Sequence, residues 1–387
     1  MRTFTTTIPF LAITSVAVLF SARGFAQQPA SQQSVPSIPD LVVSPPPHVT
    51  KANAPKPKPA QEAVLDLFRK YEVVGMSAAH GEKDLDDFIL ALIRNPEFPN
   101  RVNDIAVECG NSFYQPILDR YIAGEDVSLT QVRQVWRDTT QGEAFGLSSF
   151  CTDFFPLVRR INKSLPLKER LRVLACDPPV VWCNSKIRKD PKLHGVGGGA
   201  GARDKSIASV MEKEVLSKHR KALMLSGLFH LFHGMKDSAV EMYEKDYPGV
   251  TYIISEHSGF GQGVPSAAKY NDELEKRMAS WPVPSLVNLK GTWLAEMDFA
   301  YFREPLLMRQ PNGEIRAGFP AGLTSFSKAV DGLLYLGRSD LLIDEHIPAG
   351  VYMDQDYIAE LRRRGAFMNP GALDADLADE KASVGGN

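Results

Sequence analysis

The 387-residue sequence holds only four cysteines and no CxxC pair. That excludes a disulfide-built miniature scaffold and gives no zinc or redox motif. Charge of one sign is not in excess: 44 Lys and Arg face 46 acids, for a formal net charge of −2. Nothing in that balance points to nucleic acid or an anionic membrane as the main partner. No internal repeat is visible, and no apolar run reaches the roughly 20 residues of a comfortable membrane span. With 44% hydrophobic and 9% aromatic residues, the chain is neither wholly disordered nor collagenous. Ser226 lacks a Gly-x-Ser-x-Gly context, which disfavours a serine hydrolase with a nucleophile elbow.

What is present begins at the ends. Residues 1–26 carry Arg2, an apolar run from Ile8 to Phe20 and small residues near Gly24-Phe25-Ala26, which reads as a signal peptide cleaved near Ala26. Export to the periplasm or beyond is therefore expected, with no stable membrane span after processing. Residues 27–59 are rich in Pro, Ser and Gln, including Pro45-Pro46-Pro47 and the alternating run from Pro55 to Pro59. Proline fixes φ and removes donors, so a semi-extended tether is expected. Residues 60–371 remain for one α/β domain, and the acidic stretch 372–387 is expected to fray. In an oxidising compartment Cys176 could pair with Cys183 and Cys109 with Cys151, or all four could be buried thiols.

Within 60–371, short apolar runs alternate with amphipathic stretches. Val73–Met76, Asp104–Val107, Arg172–Ala175, Ala222–Leu225, Thr251–Ile254 and Leu333–Leu336 read as strands. Helical periodicity falls at Asp84–Arg94, Gln115–Ile122, Ser128–Arg137, Phe150–Asn162 and Lys205–His219. Runs apolar at every position suit strands covered on both faces. The expected fold is α/β, a mostly parallel central sheet flanked by helices, with a cap-like helical insertion at about 125–168 between the second and third strands.

In open α/β sheets ligands bind beyond the carboxyl ends of the strands. There the sequence places His80 and Glu82, then Glu108 and Asn111, then Asp177, then Ser226-Gly227-Leu228-Phe229-His230, then Ser255-Glu256-His257. His80, Glu108 and His230 leave three strand ends and could face one crevice. Two imidazoles and a carboxylate can activate water, or hold a divalent metal with an open position. Glu108 in particular needs a partner at the end of an apolar strand, and Arg137 or Arg203 could supply one. His230 and His233 stand three apart and could share a helical face. His257 and His194 sit in Gly-rich loops and carry little weight. The run from His194 to Gly201 is not a phosphate loop, because Lys205-Ser206 follows Asp204 rather than Gly and no strand precedes it; a lid over the crevice is the functional alternative.

These residues together resemble the erythromycin esterase-like, ChaN-like and Tiki superfamily. The resemblance is carried by His80-Gly81, Glu108 in Asn103–Asn111, Arg203-Asp204 and Gly227–His230, with Val135-Trp136-Arg137 and Gly332–Gly337 similar to an uncharacterised bacterial branch. It implies three chemistries: lactone opening by a histidine-activated water, metal-dependent proteolysis, and haem binding. By position His80 would be general base or metal ligand, Glu108 its carboxylate partner and His230 the second imidazole. Arg203 would orient or neutralise a developing oxyanion. The family's Gly-Glu-x-His motif departs here to Ser77-Ala78-Ala79-His80, so Glu82 or Asp84 would have to replace the missing acid, with Asn111 and Asp177 in support. The leading expectation is an exported hydrolase of ester or amide bonds in a small-molecule or peptide substrate. A metal- or haem-binding uptake protein and a catalytically silent binding domain are the alternatives.

Overall fold

Along each central strand, successive residues go to opposite faces, and both faces are buried. Val74 and Met76, Ile105 and Val107, Leu223 and Leu225, and Ile254 join one core cluster; Val73, Ala106, Ala222, Met224 and Ile253 join the other. This is why the strands are apolar at every position rather than at alternate ones. The computed structural model describes residues 42–78, 80–182, 199–309, 315–320, 322–365, 373–374 and 377.

Among the described residues there are ten strands: β1 (Lys58–Pro59), β2 (Val73–Met76), β3 (Asp104–Asn111), β4 (Arg172–Asp177), β5 (Ala222–Leu225), β6 (Thr251–Glu256), β7 (Ser285–Asn288), β8 (Leu306–Arg309), β9 (Ile315–Gly318) and β10 (Gly332–Tyr335). Eight form one sheet in the order β1-β7-β10-β6-β2-β5-β3-β4, and β8 and β9 form a separate antiparallel pair. The run from β10 to β4 is parallel throughout, while β7 and β1 add antiparallel at the edge. The mostly parallel α/β fold expected from the sequence is therefore present.

Most expected helices are present, but the one expected over Lys205–His219 is an α-helix at Gly199–Val210 followed by a π turn (Met211–Val215) and a 3-10 turn (Leu216–Lys218). Lys83–Arg94 buries Leu85, Phe88, Ile89 and Leu92, the apolar stripe of its 3.6-residue period. Gln115–Ala123 ends on Gly124 in the left-handed conformation, where a side chain would be strained. Leu129–Arg137 begins at a capping box made by Ser128 and Gln131. With Gly142–Leu147 and Ser149–Ser164 it forms the helical insertion between β3 and β4. Val132, Trp136, Phe150, Phe154 and Phe155 of this insertion are part of the core on one sheet face.

Residues 42–59, the described part of the Pro-rich stretch, are extended yet held against the body. Val43 is buried, the Ser44 amide donates to Asp298 at 2.8 Å, and Arg277 donates to the Pro47 carbonyl at 2.8 Å. Lys58–Pro59 then pairs with β7 at the sheet edge, where a residue without an N–H is tolerated. The expected signal segment, Cys183, His194 and its Gly-rich run up to 198 lie outside the described residues. Cys109, Cys151 and Cys176 are buried free thiols, so Cys109 and Cys151 are not bridged. At the other end Leu373 is buried beside Leu361 and Tyr357. Among the described residues no helix is long and apolar enough to cross a membrane.

Candidate functional site

Strands β2, β5 and β3 are neighbours; His80 and His230 follow the carboxyl ends of β2 and β5, and Glu108 lies within β3 just past the end of its pairing with β5. The register of β3 against β4 shifts between Val107 and Asn111, so the segment holding Glu108 leaves the regular ladder where β5 has already ended. A Cβ at Gly110 would stand 2.8 Å from the Ala175 Cβ, so only glycine lets β3 run this close to β4.

Glu108 is the centre of the site, with its side chain 2% exposed. Its Oε2 accepts from the Gly227 amide at 2.7 Å and lies 3.5 Å from His80 Nε2. Its Oε1 faces His230 Nε2 at 3.2 Å and Arg203 Nη2 at 3.5 Å; the angles make these ion-pair contacts rather than aligned hydrogen bonds. His230, 3% exposed, turns its other nitrogen to Asp204 Oδ1 at 2.7 Å. The result is an alternating chain of acid and imidazole: Asp204, His230, Glu108, His80.

Charge follows geometry. Burial alone would push the Glu108 carboxyl up, but the His230 and Arg203 charges beside it hold it well below the usual carboxylate range. Burial alone would pull His230 down, but the Glu108 charge and the hydrogen bond to Asp204 raise it to about 9. The charged ring directs its Nε2–H to Glu108; a neutral ring would instead accept from Arg203 Nη2, 3.0 Å away. Two acids and two cations then balance in a nearly dry pocket.

Only His80 reaches outward. Its side chain is 20% exposed, while Nε2, the nitrogen facing Glu108, is buried. Phe145 of the helical insertion stands against it, ring centroids 5.6 Å apart and tilted, so the insertion partly covers the site.

Other expected residues take different places. Arg203 is turned inward on Glu108, which matches the partner sought for that acid, while Arg137 pairs with Asp354 at 2.7 Å. Asn111 is a staple: its amide donates to the carbonyls of Asp138 and Val180, both at 2.7 Å, and its Oδ1 accepts from Phe113 N at 2.9 Å. Asp177 holds Thr140 through its amide at 2.7 Å and its hydroxyl at 2.6 Å, and burial pushes the acid up to about 7. Asp84 accepts from the Ile343 amide at 2.6 Å. Glu82 lies close enough to His80 to feel its charge, and Ala78 is buried among apolar side chains. His233 faces Asp331 at 3.0 Å, away from His230's partners. His219 ends its helix and lies 3.4 Å from Glu72.

The donor set does not suit a metal ion. Both His230 nitrogens are engaged, and the Arg203 guanidinium stands beside Glu108 where a second cation would be repelled. Among the described residues no three His, Cys, Asp or Glu side chains are arranged to hold one.

Sequence reasoning missed two things. Asp204 closes the chain behind His230, although it follows Arg203 directly. A second polar cluster stands at the end of β6: Arg303 Nη2 donates to Glu256 Oε1 at 2.7 Å, and His257 Nε2 lies 2.8 Å from Glu275 Oε1. His257, discounted as a loop residue, is fully buried and paired.

No family model matches the sequence, and no curated protein sequence matches it. Among solved structures the chain is similar to a succinoglycan biosynthesis protein, with 12% identity over 76% of this chain and 96% of that one, at a TM-score of 0.48. A Bacillus cereus protein gives 11% identity over 76% and 97%, at 0.45. ChaN of Campylobacter jejuni, described with cofacial haem, gives 14% identity over 51% and 85%, at 0.28. All three TM-scores lie below 0.5, and the chemistry of the site follows from this chain's own side chains.

Proposed function

We propose that the protein is a hydrolase of ester or amide bonds in which His80 activates water. The observation that carries this reading is the chain Asp204–His230–Glu108–His80, which ends on one partly exposed imidazole at the carboxyl edge of a parallel sheet. A buried carboxylate behind an imidazole fixes its tautomer and stabilises the cation formed when the ring takes a proton. Glu108 does this for His80, and the 3.5 Å separation closes to hydrogen-bond range when substrate orders the ring. Arg203 and His230 are positioning residues here, because they hold Glu108 ionised from behind. With Ala78 in the place of the family's motif acid, Glu108 is the partner His80 uses. Export through the N-terminal segment is part of the same proposal.

The test is turnover of p-nitrophenyl butyrate and of a peptide anilide by the full chain. His80→Ala abolishes it, and Glu108→Gln lowers it at least a hundredfold, with circular dichroism unchanged for His80→Ala. Unchanged turnover in His80→Ala overturns the reading. Haem ligation is the rival for the same ring, since axial binding needs an unobstructed nitrogen. His80 turns Nε2 inward onto Glu108, which favours hydrolysis. A Soret band on haem addition that disappears in His80→Ala, without esterase turnover, would reverse that preference.

A further inference from the structure

A cavity of about 250 Å³ lies beside this site, between the end of β6 and the start of the helix Lys83–Arg94. Its polar lining includes the acids Glu82, Asp84, Glu256 and Asp344 together with His257, and Leu85, Leu336 and Leu342 are among its apolar residues. His80 and Glu108 are not part of the lining, so the cavity is adjacent to the acid–imidazole chain rather than identical with it.

Two of the polar side chains are deeply buried and each is held by one atom only. Glu256 is 6% exposed; Arg303 takes its Oε1, and its Oε2 has no hydrogen-bond partner among the described residues. His257 is 1% exposed; Glu275, itself fixed by the Ser339 hydroxyl at 2.7 Å, takes Nε2, and Nδ1 has no partner. Glu82 Oε2 is likewise buried without one. Buried polar atoms are hydrogen-bonded in nearly all native structures, so three such atoms around one cavity mark it as a site for a polar partner. Glu256, ion-paired with Arg303, offers Oε2 as an acceptor, and Glu82 offers another when ionised.

We propose that this cavity binds a small ligand carrying an ammonium group, held between Glu82 and Glu256 with its carbon body against the leucine wall. The charge balance agrees: burial and then the Glu256 charge push the Glu82 carboxyl up to about 7, and a cation between the two acids relieves that repulsion. A metal ion is not the better occupant, since no three ligating side chains in the described residues are arranged for one. The volume falls below the roughly 300 Å³ at which drug-sized pockets begin, so the ligand, or the portion of it bound here, is of fragment size. The inference rests on the proposed hydrolase only in naming its substrate class, an ester or amide that carries an amine near the scissile bond.

Calorimetry on the full chain with phenethylamine hydrochloride and with 2-phenylethanol tests it. The amine binds at least tenfold more tightly than the alcohol, and Glu256→Gln and Glu82→Gln each weaken the amine at least tenfold. His80→Ala leaves amine binding within twofold. Should Glu256→Gln unfold through loss of the Arg303 pair, Glu82→Gln decides alone. Equal binding of amine and alcohol, no binding of either, or an unchanged amine affinity in Glu82→Gln overturns the proposal. Amine binding by a protein that hydrolyses neither ester nor anilide would sink the hydrolase and leave the cavity assignment standing.

Discussion

The Gly227 amide donates to Glu108 Oε2 at 2.7 Å, and a Cβ on Gly227 would stand 2.9 Å from His80 Nε2. One residue thus fixes Glu108 with its backbone and leaves room for the His80 ring by having no side chain. Gly227 has a φ of −53°, so its role is space rather than unusual backbone geometry.

Gly227→Ala should therefore separate stability from activity. The new methyl meets Nε2 of a partly exposed ring, so His80 gives way and the cost falls at the low end of the about 1–3 kcal/mol typical of overpacking. Turnover should fall at least tenfold, with melting temperature nearly unchanged. A variant of full activity would mean that the His80–Glu108 approach is not used.

Glu108→Gln tests the electrostatic half of the same relationship. Neutralising the acid leaves Arg203 and His230 as two buried cations with Asp204 as the nearest remaining acid. Breaking a buried ion pair from one side costs about 3–5 kcal/mol, read by urea unfolding. The His230 ring should then titrate well below its present value of about 9, followed by NMR of its ring protons. An unshifted ring would show that Glu108 is not what raises it.

The order of strand-end residues made much of this site legible. His80, Glu108 and His230 each follow an apolar run, and a parallel sheet brings such ends to one edge. Asp204 was hidden because helix position alone does not say which of two adjacent charged residues turns to a given histidine. The cavity was hidden because Arg303, Glu275 and Ser339 come from loops and helices far along the chain, and only packing unites them with Glu256 and His257. Asn111 looked like a site residue and proved a backbone staple, since side-chain amides serve either purpose. The edge strand β1 was masked by its own prolines, which signal a tether unless a neighbouring edge happens to be free.

Stability should peak on the mildly acidic side of neutrality. His230, raised to about 9 against its ordinary 6.5, contributes fully below about pH 6.5, and that contribution is lost as pH rises through 9. Asp177 and Glu82, both raised to about 7, are neutral in the fold at pH 5 and become progressively costlier up to pH 7. Glu108, depressed, contributes above its ordinary 4.5 and is lost in acid. Melting temperature measured from pH 4 to 9 should rise and then fall. In Asp177→Asn the oxygen still accepts from the Thr140 amide and the new NH₂ donates to its hydroxyl, so the decline between pH 4 and 7 should flatten. An identical profile in the variant would show that Asp177 does not titrate there.

Ala78→Glu places a carboxylate two residues before His80 and should nonetheless fail as a gain of function. Ala78 is 5% exposed and belongs to one of the apolar core clusters. A carboxylate there has no partner prepared for it, and burying a polar group without one costs several kcal/mol. His80 already approaches Glu108, which is held ionised by Arg203 and His230, so a second acid supplies nothing the ring lacks. The expected outcome is a lower melting temperature with esterase turnover no higher than that of the parent chain. Raised turnover at unchanged stability would mean that the strand end repacks to turn residue 78 toward His80, and that Glu108 is the weaker of two usable partners.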